Sequence, residues 1–265
     1  MNDQQFRQLL NRYEFSWTGY RKVRKGVKKR VRRYMESLKL SNMEAFLAEL
    51  DKNDEIRHQC ELLMTVSISR FFRDREFWKG FKENILPEFM DDDRDKIKFW
   101  SAGCACGEEV YSLKIIWDIL SDSYLNVPDL EVLATDINPI YLERARSGIY
   151  PSSSLKEATK EIQSRYFKQK RGKKLFEVKT LLKKRITWKV HHLLSDPFES
   201  DFDIIFLRNN VLTYYKEELK KKAFRKVLGS LALNGLLVVG CHETIPAEAE
   251  NLIYDSHVPY VLRKV

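Results

Sequence analysis

A glycine-containing loop followed by two glutamates is the part of the sequence whose residue types and spacing point most directly to chemistry. Gly103, Ala105 and Gly107 lie between a strand-like segment and a helix-like segment. Glu108 and Glu109 follow directly. Small residues allow a ligand to approach the backbone closely at the carboxyl end of a strand. Carboxylates at the start of a helix disfavour a bound phosphate, because the positive end of the helix dipole binds anions, so the loop favours a ligand that carries positive charge.

Asp136 is a further acidic residue that such a ligand could contact. It lies near the end of the strand-like segment 130–137, where an acidic side chain can accept hydrogen bonds from ribose hydroxyls. S-adenosylmethionine carries a ribose together with an ammonium and a sulfonium group, so it satisfies both requirements. A fold that binds a nicotinamide dinucleotide through a degenerate loop is the alternative that these residues leave open.

Short apolar segments alternate with helix-like segments after residue 95. The predicted strands are at 96–102, 130–137, 202–207 and 236–241. Helices are predicted at 108–121, from 139 onward, and at 217–228. This alternation is typical of an α/β fold with a parallel sheet that helices cover on both faces. The last run, 258–265, is predicted to be an edge strand.

The N-terminal region shows helical periodicity only. Val23, Val27 and Val31 recur at four-residue steps, which gives an otherwise basic helix an apolar stripe. Ser41 with Glu44 forms a capping-box pattern that predicts the start of another helix. We therefore predict a small helical domain at 1–75.

One stretch, 151–188, does not fit the alternation of strands and helices. It is strongly basic and contains two alternating pieces, at 174–178 and 185–190. We predict that it forms a small antiparallel β element inserted into an α/β domain that extends over 76–265.

Positive charge is concentrated in one N-terminal segment. The chain carries a formal net charge of +9, and the segment 21–33 contains basic residues and no acid. Its basic residues are Arg21, Lys22, Arg24, Lys25, Lys28, Lys29, Arg30, Arg32 and Arg33. Such a face favours an acidic partner, which could be a protein helix, a nucleic acid or an anionic lipid.

Composition excludes several protein classes. With 43% hydrophobic and 32% charged residues, the chain is typical of globular rather than disordered proteins. No apolar run is long enough to span a bilayer, and four cysteines do not suggest a disulfide framework, so a cytoplasmic location is expected. Cys104 and Cys106 have a spacing that fits no common zinc pattern. The adjacent His191 and His192 would point to opposite faces of a strand, so no metal site is expected.

Six segments, taken together, match a known pattern. They are SRFFRD at 69–74, FWSAGCACGEEVYSL at 99–113, ATDINPIYLERARSGIY at 134–150, DPF at 196–198, FDIIFLRNNVLTYY at 202–215 and YVLRK at 260–264. In this order they resemble the chemoreceptor glutamate methyltransferases of the CheR family. The resemblance implies a Rossmann-like S-adenosylmethionine methyltransferase sheet, a small N-terminal helical domain and a three-stranded insert. It also implies an enzyme that esterifies glutamate side chains of a chemoreceptor-like protein and releases S-adenosylhomocysteine.

The resemblance further implies a set of cofactor-binding residues. Matched position by position, they are Ser67, Ser69, Arg73, Glu109, Asp136, His192, Leu193, Arg208 and Asn209. Gly103 joins them as the site of close backbone approach. Glu109 would hold the methionine ammonium or cofactor hydroxyls, and Asp136 would hold the ribose. His192 and Leu193 would border the adenine.

An arginine and a tyrosine are implied beside the transferred methyl group as the catalytic residues. They match Arg73 and Tyr214, the latter when Asn210 is counted as a one-residue insertion. Arg73 would hold the substrate carboxylate through its planar guanidinium. Tyr214 would orient the second carboxylate oxygen by a hydrogen bond.

The insert bears on which surface recognises the substrate protein. It lacks the paired glycines that accompany binding of a receptor tail in part of the family. We therefore expect the basic helix 21–33 to dock on the cytoplasmic helical bundle of the receptor. Nucleic acid is not expected as a partner, and the protein is expected to be a monomer without membrane insertion. A methyltransferase for another protein, nucleic acid or small acid, or a non-catalytic cofactor-binding module, are the alternatives.

Overall fold

The computed structural model describes residues 1–67, 69–90, 94–172, 174–196, 199–247, 249 and 251–265. The acidic stretch 91–93, ahead of the first predicted strand, lies outside these residues, and so do Pro197 and Phe198 of the segment 196–198. Within the described ranges, no helix is both long and apolar enough to cross a membrane.

The N-terminal part is built from four helices: α1 (Asp3–Arg12), α2 (Arg24–Ser37), α3 (Met43–Lys52) and α4 (Asp54–Met64). They share one apolar cluster, in which Val27 and Val31 of the predicted stripe on α2 are buried. The N-cap of α3 is Asn42 rather than the predicted Ser41. The reason is that the Asn42 side chain accepts a hydrogen bond from the Ala45 backbone N–H at 2.8 Å.

Ten strands form two sheets in the described residues of the rest of the chain. In chain order they are β1 (Lys96–Ala102), β2 (Asp129–Asp136), β3 (Ile149–Pro151), β4 (Phe167–Gln169), β5 (Leu175–Val178), β6 (Ile186–Val190), β7 (Phe202–Leu207), β8 (Leu231–Val239), β9 (Leu252–Tyr254) and β10 (Val261–Lys264). The larger sheet has the order β6-β2-β1-β7-β8-β10-β9. Its first five strands are parallel, and β10 runs antiparallel to both of its neighbours. The predicted α/β class is confirmed.

Helices cover both faces of this sheet. The helices after residue 74 are α5 (Arg75–Gly80), α6 (Pro87–Met90), α7 (Glu108–Ser121), α8 (Pro139–Ser147), α9 (Lys160–Tyr166), α10 (Val211–Tyr214) and α11 (Glu217–Ser230), and a π-helical turn, Phe81–Ile85, joins the first two. Phe99 and Phe206 lie in an apolar cluster with residues of α5 and α7. Trp100 and Ile205, which alternate with them, lie in a second cluster with residues of α11. The alternation of strand side chains therefore buries both faces.

The insert is smaller than predicted. β3, β5 and β4 form a three-stranded antiparallel sheet. The predicted piece at 185–190 instead provides β6, which pairs in parallel with β2 as an edge of the larger sheet. Assigning it to the insert was wrong, because an edge strand with alternating exposure has the same sequence pattern as a strand of a small hairpin.

The prediction that the C-terminal run 258–265 forms an edge strand was also wrong. β10 lies between β8 and β9, so β9 rather than the last strand forms this edge of the sheet. β9 has only three residues, too few for a periodic pattern to be recognised.

A short segment of the helical part packs directly on α10. Ser16 donates its backbone N–H to the Tyr214 carbonyl at 2.7 Å, and the Tyr20 ring lies edge-on to the Tyr214 ring with centroids 5.0 Å apart. A Cβ on Gly19 would lie 2.1 Å from the Thr213 carbonyl oxygen, so a side chain there has no room. The helical part is thereby fixed against the segment that follows β7.

The division of the chain at residue 75 stays a prediction. The apolar cluster of the helical part ends at Met64, with Val66 packed against it. Phe71 and Phe72 already lie in the cluster on one face of the sheet.

The close approach at Gly19 predicts opposite effects for two glycine-to-alanine changes. Gly19→Ala should lower the free energy of unfolding by about 1–3 kcal/mol, because the added methyl group forces the two segments apart. Gly26→Ala, in the first turn of α2, should raise it by about 0.5–1 kcal/mol, because among the described residues the nearest atom beyond the local helix backbone is Nη1 of Arg30, 4.0 Å from the new Cβ. Denaturant unfolding of both variants measures the difference, and equal effects would show that the segment at 14–20 is not tightly packed.

Candidate active site

A cavity at the carboxyl ends of β1, β2, β6 and β7 contains nearly all the residues predicted to form the site. The ends of these strands and the loops after them contribute Gly103, Asp136, His192 and Arg208, among others. The helical part contributes Phe15, Tyr20, Glu61, Met64, Thr65 and Val66. The carboxyl edge of a parallel sheet is where open α/β folds bind their ligands.

The loop at 103–107 is fixed to the end of β2. The backbone N–H groups of Gly103 and Cys104 both donate to the Thr135 carbonyl at 2.8 Å. Gly103 has a φ of +84°, and a Cβ there would lie 2.3 Å from Nδ2 of Asn210. Glycine is therefore required at this position, where the backbone packs against the Asn210 side chain and lines the cavity.

Asp136 ends β2 and lines the cavity. Its Oδ2 accepts a hydrogen bond from the Ala105 N–H and its Oδ1 accepts one from the Asn138 N–H, both at 2.9 Å. Burial raises the pKa of this carboxyl to about 6, although both hydrogen bonds favour the charged form. Each oxygen keeps a lone pair, so the carboxylate is held in place with acceptor capacity left for ligand hydroxyls.

Arg208 is a buried cation paired with two carboxylates. It donates to Oε2 of Glu109 at 2.9 Å and to Oδ2 of Asp74 at 2.7 Å. Its guanidinium also lies over the Phe77 ring, 4.3 Å from the centroid. Two opposite charges are needed because an unpaired cation at this depth would be strongly destabilising.

Glu109 is paired with Arg208 inside the protein. Burial raises the pKa of its carboxyl, and the neighbouring charge of Arg208 opposes that rise. One oxygen is occupied by Arg208, whereas Oε1 receives only a long hydrogen bond from Oγ of Ser101 at 3.4 Å. The Oε1 side therefore remains able to accept a stronger donor such as an ammonium group.

Arg73 and Tyr214 share the cavity with Asn209. Arg73 donates through a guanidinium nitrogen to Oδ1 of Asn209 at 3.3 Å. Burial raises the pKa of the Tyr214 phenol, while the charge of Arg73 lowers it. The two predicted catalytic residues therefore line one cavity and interact electrostatically.

Asn210 has a structural role that the one-residue insertion did not suggest. Its side chain accepts from the Val211 N–H at the start of α10 and donates to the Ala102 carbonyl. It thereby joins the turn after β7 to the end of β1, and Tyr214, not Thr213, faces the cavity.

His192 links the sheet to the helical part. Its Nε2 lies 3.3 Å from Oε1 of Glu61 in α4, and that contact raises the pKa of the imidazole. Its Nδ1 accepts from the Leu194 N–H at 3.2 Å. Leu193, beside it, packs against the apolar cluster under α11 and also lines the cavity.

The two serines predicted for the site differ in position. Ser69 lines the cavity, whereas Ser67 does not, although its neighbour Val66 does. All the other predicted site residues line the same cavity. Sequence reasoning missed Asp74 and Glu61, since a carboxylate that pairs across distant segments carries no local pattern.

Comparisons with known proteins give a consistent result. A family model described as "CheR methyltransferase, SAM binding domain" matches residues 67–260. The "Chemotaxis protein methyltransferase" of Listeria monocytogenes is 32% identical over 219 residues, which cover 83% of this chain and 81% of that protein. A protein of the same printed name from Borreliella burgdorferi is 30% identical over 228 residues, covering 83% of this chain and 79% of its own. The cofactor of the matched domain is S-adenosylmethionine (SAM).

The residues that line the cavity fit this cofactor. Asp136 offers carboxylate oxygens to a ribose, and Glu109 keeps Oε1 for a cationic donor. Gly103 lines the cavity without a side chain, and Leu193 provides an apolar side chain.

The raised pKa of Asp136 predicts a pH dependence of cofactor affinity. Because the ionised carboxylate is the better acceptor for ribose hydroxyls, affinity should rise with pH through about 6 and level off above it. Asp136→Asn should bind SAM more weakly, by about 1.5–3 kcal/mol near neutral pH, and without this rise. Calorimetric titration between about pH 5 and pH 7.5 tests both points. An unchanged pH profile in the variant would remove Asp136 from the binding site.

Proposed function

This chain belongs to the CheR methyltransferase family, and we propose that it transfers methyl groups from SAM to glutamate side chains of a chemoreceptor-like protein in the cytoplasm. The observation that carries the proposal is that Arg73 and Tyr214 line the cavity that Asp136 and Glu109 also line. A cation and a phenol suit an anionic acceptor, whereas the two carboxylates suit a cationic donor. The printed names of the relatives support a role in chemotaxis.

The acceptor explains why no general base is needed. A glutamate side chain in water has a pKa of about 4.3, so it is already ionised at neutral pH and gives up no proton on methylation. The bound cofactor supplies the methyl group to a carboxylate oxygen and leaves as S-adenosylhomocysteine. Arg73 holds one carboxylate oxygen and Tyr214 orients the other, which fixes the attacking atom. An ion pair between Arg73 and the substrate carboxylate that is too strong would stabilise the ground state more than the charge-dispersed transition state. The hydrogen bond from Arg73 to Asn209 weakens this ion pair.

The chemistry of the product gives the first test of this function. Methyl label transferred from tritiated cofactor to a receptor fragment should be released as volatile methanol at high pH, because a carboxyl ester is cleaved by base. N-methyl and ribose O-methyl groups resist the same treatment. A receptor fragment with glutamine in place of its acceptor glutamates is the matched control and should take up no label. Retention of the label after base treatment would rule out glutamate esterification.

The basic residues of the segment 21–33 form two groups, those that contact the rest of the fold and those that point outward. Arg24, Lys28 and Arg30 are engaged within the fold. Their partners are the ring of Trp17, the carboxylate of Asp3, and the carbonyls of Leu63 and Thr65, respectively. These three cations stabilise the helical part and are not available to a partner.

The remaining cations are exposed and support a docking role. They are Arg21, Lys22, Lys25, Lys29, Arg32 and Arg33. Lys25, Lys29 and Arg33 recur at four-residue steps along one side of α2. We infer that this outward face of α2 attracts an acidic surface of the receptor's helical bundle and raises the encounter rate more than the intimate affinity.

Reversing the outward charges should therefore slow receptor methylation without affecting the cofactor. Lys25→Glu, Lys29→Glu and Arg33→Glu together should lower kcat/KM roughly tenfold at low salt and flatten its salt dependence. The affinity for SAM should stay at the wild-type value. The combination of Lys52→Glu, Lys79→Glu and Lys222→Glu changes net charge equally at exposed positions outside α2 and is the matched control.

Two results would contradict this docking surface. The first is an equal loss in both triple variants, which would reflect net charge rather than a surface. The second is tight binding of RNA or duplex DNA at physiological salt that the α2 variant abolishes, combined with salt-insensitive receptor methylation.

A further inference from the structure

Glu243 lies just behind the cavity wall and is not among the residues that line it. It follows β8, is half-buried, and accepts three hydrogen bonds from three places in the chain. Oε2 accepts the backbone N–H groups of Asn209 at 2.9 Å and of Gly240 at 2.7 Å. Oε1 accepts the hydroxyl of Thr213 at 2.6 Å. One carboxylate thus ties together the turn after β7, helix α10 and the loop after β8.

The first of these bonds fixes the residue that holds Arg73. Asn209 adopts a left-handed conformation with a φ of +55°, which few residues other than glycine accept readily. Glu243 holds its N–H in that conformation, and the Asn209 side chain then receives the guanidinium of Arg73 at 3.3 Å. Glu243 therefore acts on Arg73 through one intermediate residue.

The second bond fixes the residue next to Tyr214. Helix α10 is a single turn, and so short a helix has little stability of its own. The Thr213 hydroxyl anchors this turn on Glu243, while the Tyr214 ring faces the cavity. Glu243 thereby sets the orientation of α10 and, with it, the position of the phenol.

The contact at Gly240 shows how closely Glu243 is packed. A Cβ at Gly240 would lie 2.7 Å from Oε2 of Glu243 and 3.1 Å from Oδ1 of Asn209. A side chain at this position would push the carboxylate away from its donors. Glycine at this position leaves room for the three hydrogen bonds to coexist.

From these contacts we infer that Glu243 is a positioning residue for the methyl-acceptor side of the site, acting on Arg73 through Asn209 and on Tyr214 through Thr213. This inference rests on the acceptor role proposed above for those two residues. The two carboxylates on the cofactor side have other supports: Asp136 is held by Ala105 and Asn138, and Glu109 by Arg208. Loss of Glu243 should therefore lower turnover much more than cofactor affinity.

The test compares Glu243→Ala with Glu243→Gln in the full chain. Glu243→Ala removes all three bonds and should lower kcat for methylation of a receptor fragment roughly 10- to 100-fold, because the acceptor loses its alignment. Its dissociation constant for SAM should stay within about threefold of the wild-type value. Glu243→Gln should restore most of the turnover, since its amide oxygen accepts the two N–H groups and its NH2 donates to the Thr213 hydroxyl. Gly240→Ala should lower kcat as Glu243→Ala does, although it keeps the carboxylate of Glu243.

The possible failures are distinguishable. A wild-type enzyme that forms no base-labile ester would refute the proposed function, whatever the variants do. A wild-type enzyme that forms the ester, together with a fully active Glu243→Ala, would overturn the positioning role alone. If Glu243→Ala loses turnover, cofactor affinity and melting temperature together, the role of Glu243 is generally structural, and the positioning role is overturned too. A Glu243→Gln variant as impaired as Glu243→Ala would also overturn the positioning role.

Discussion

The guanidinium of Arg208 carries a full charge at the end of β7, where only 7% of the residue is exposed, and its pairing holds several segments of the site together. Glu109 belongs to the first turn of α7, and Asp74 directly precedes α5. Because a buried cation without partners would be strongly destabilising, each carboxylate fixes its own segment against the sheet. Asp74 does so from a left-handed conformation with a φ of +66°, and its neighbour Arg73 is thereby directed toward Asn209. The proposed cofactor and acceptor sides of the site thus share one electrostatic anchor.

The fold class was predictable because buried parallel strands appear in a sequence as uninterrupted apolar runs, and Ile204 to Leu207 form such a run. The errors arose where that signal is absent. Thr187 and Lys189 are exposed on β6, so the strand alternates as a strand of the insert would. Its place beside β2 follows from pairing with a strand about fifty residues earlier, such as Val132 with Ile186. Side-chain periodicity carries no information about such a partner.

The site was predictable where chemistry is local and not where it depends on contacts across the chain. Asp136 and Gly103 could be identified from strand ends and loop composition, and the structure brings both to the cavity. Arg208 meets Asp74 across 134 positions of sequence, and His192 meets Glu61 across 131. Glu243 has no sequence pattern that separates it from a surface carboxylate. Its partners become visible only when β7 and β8 lie side by side.

The two sides of α2 have a consequence for how this protein can diverge. Arg30 binds the carbonyls at the end of α4, while the adjacent Lys29 is exposed to solvent. The residues that support the fold and the residues proposed for recognition therefore alternate along one helix, and no residue belongs to both sets. Mutations can replace or invert the outer charges while the inner cations keep the helices assembled. A lineage could in this way follow a changing partner, or acquire a new one, through single surface substitutions that leave both the scaffold and the methyl-transfer site intact.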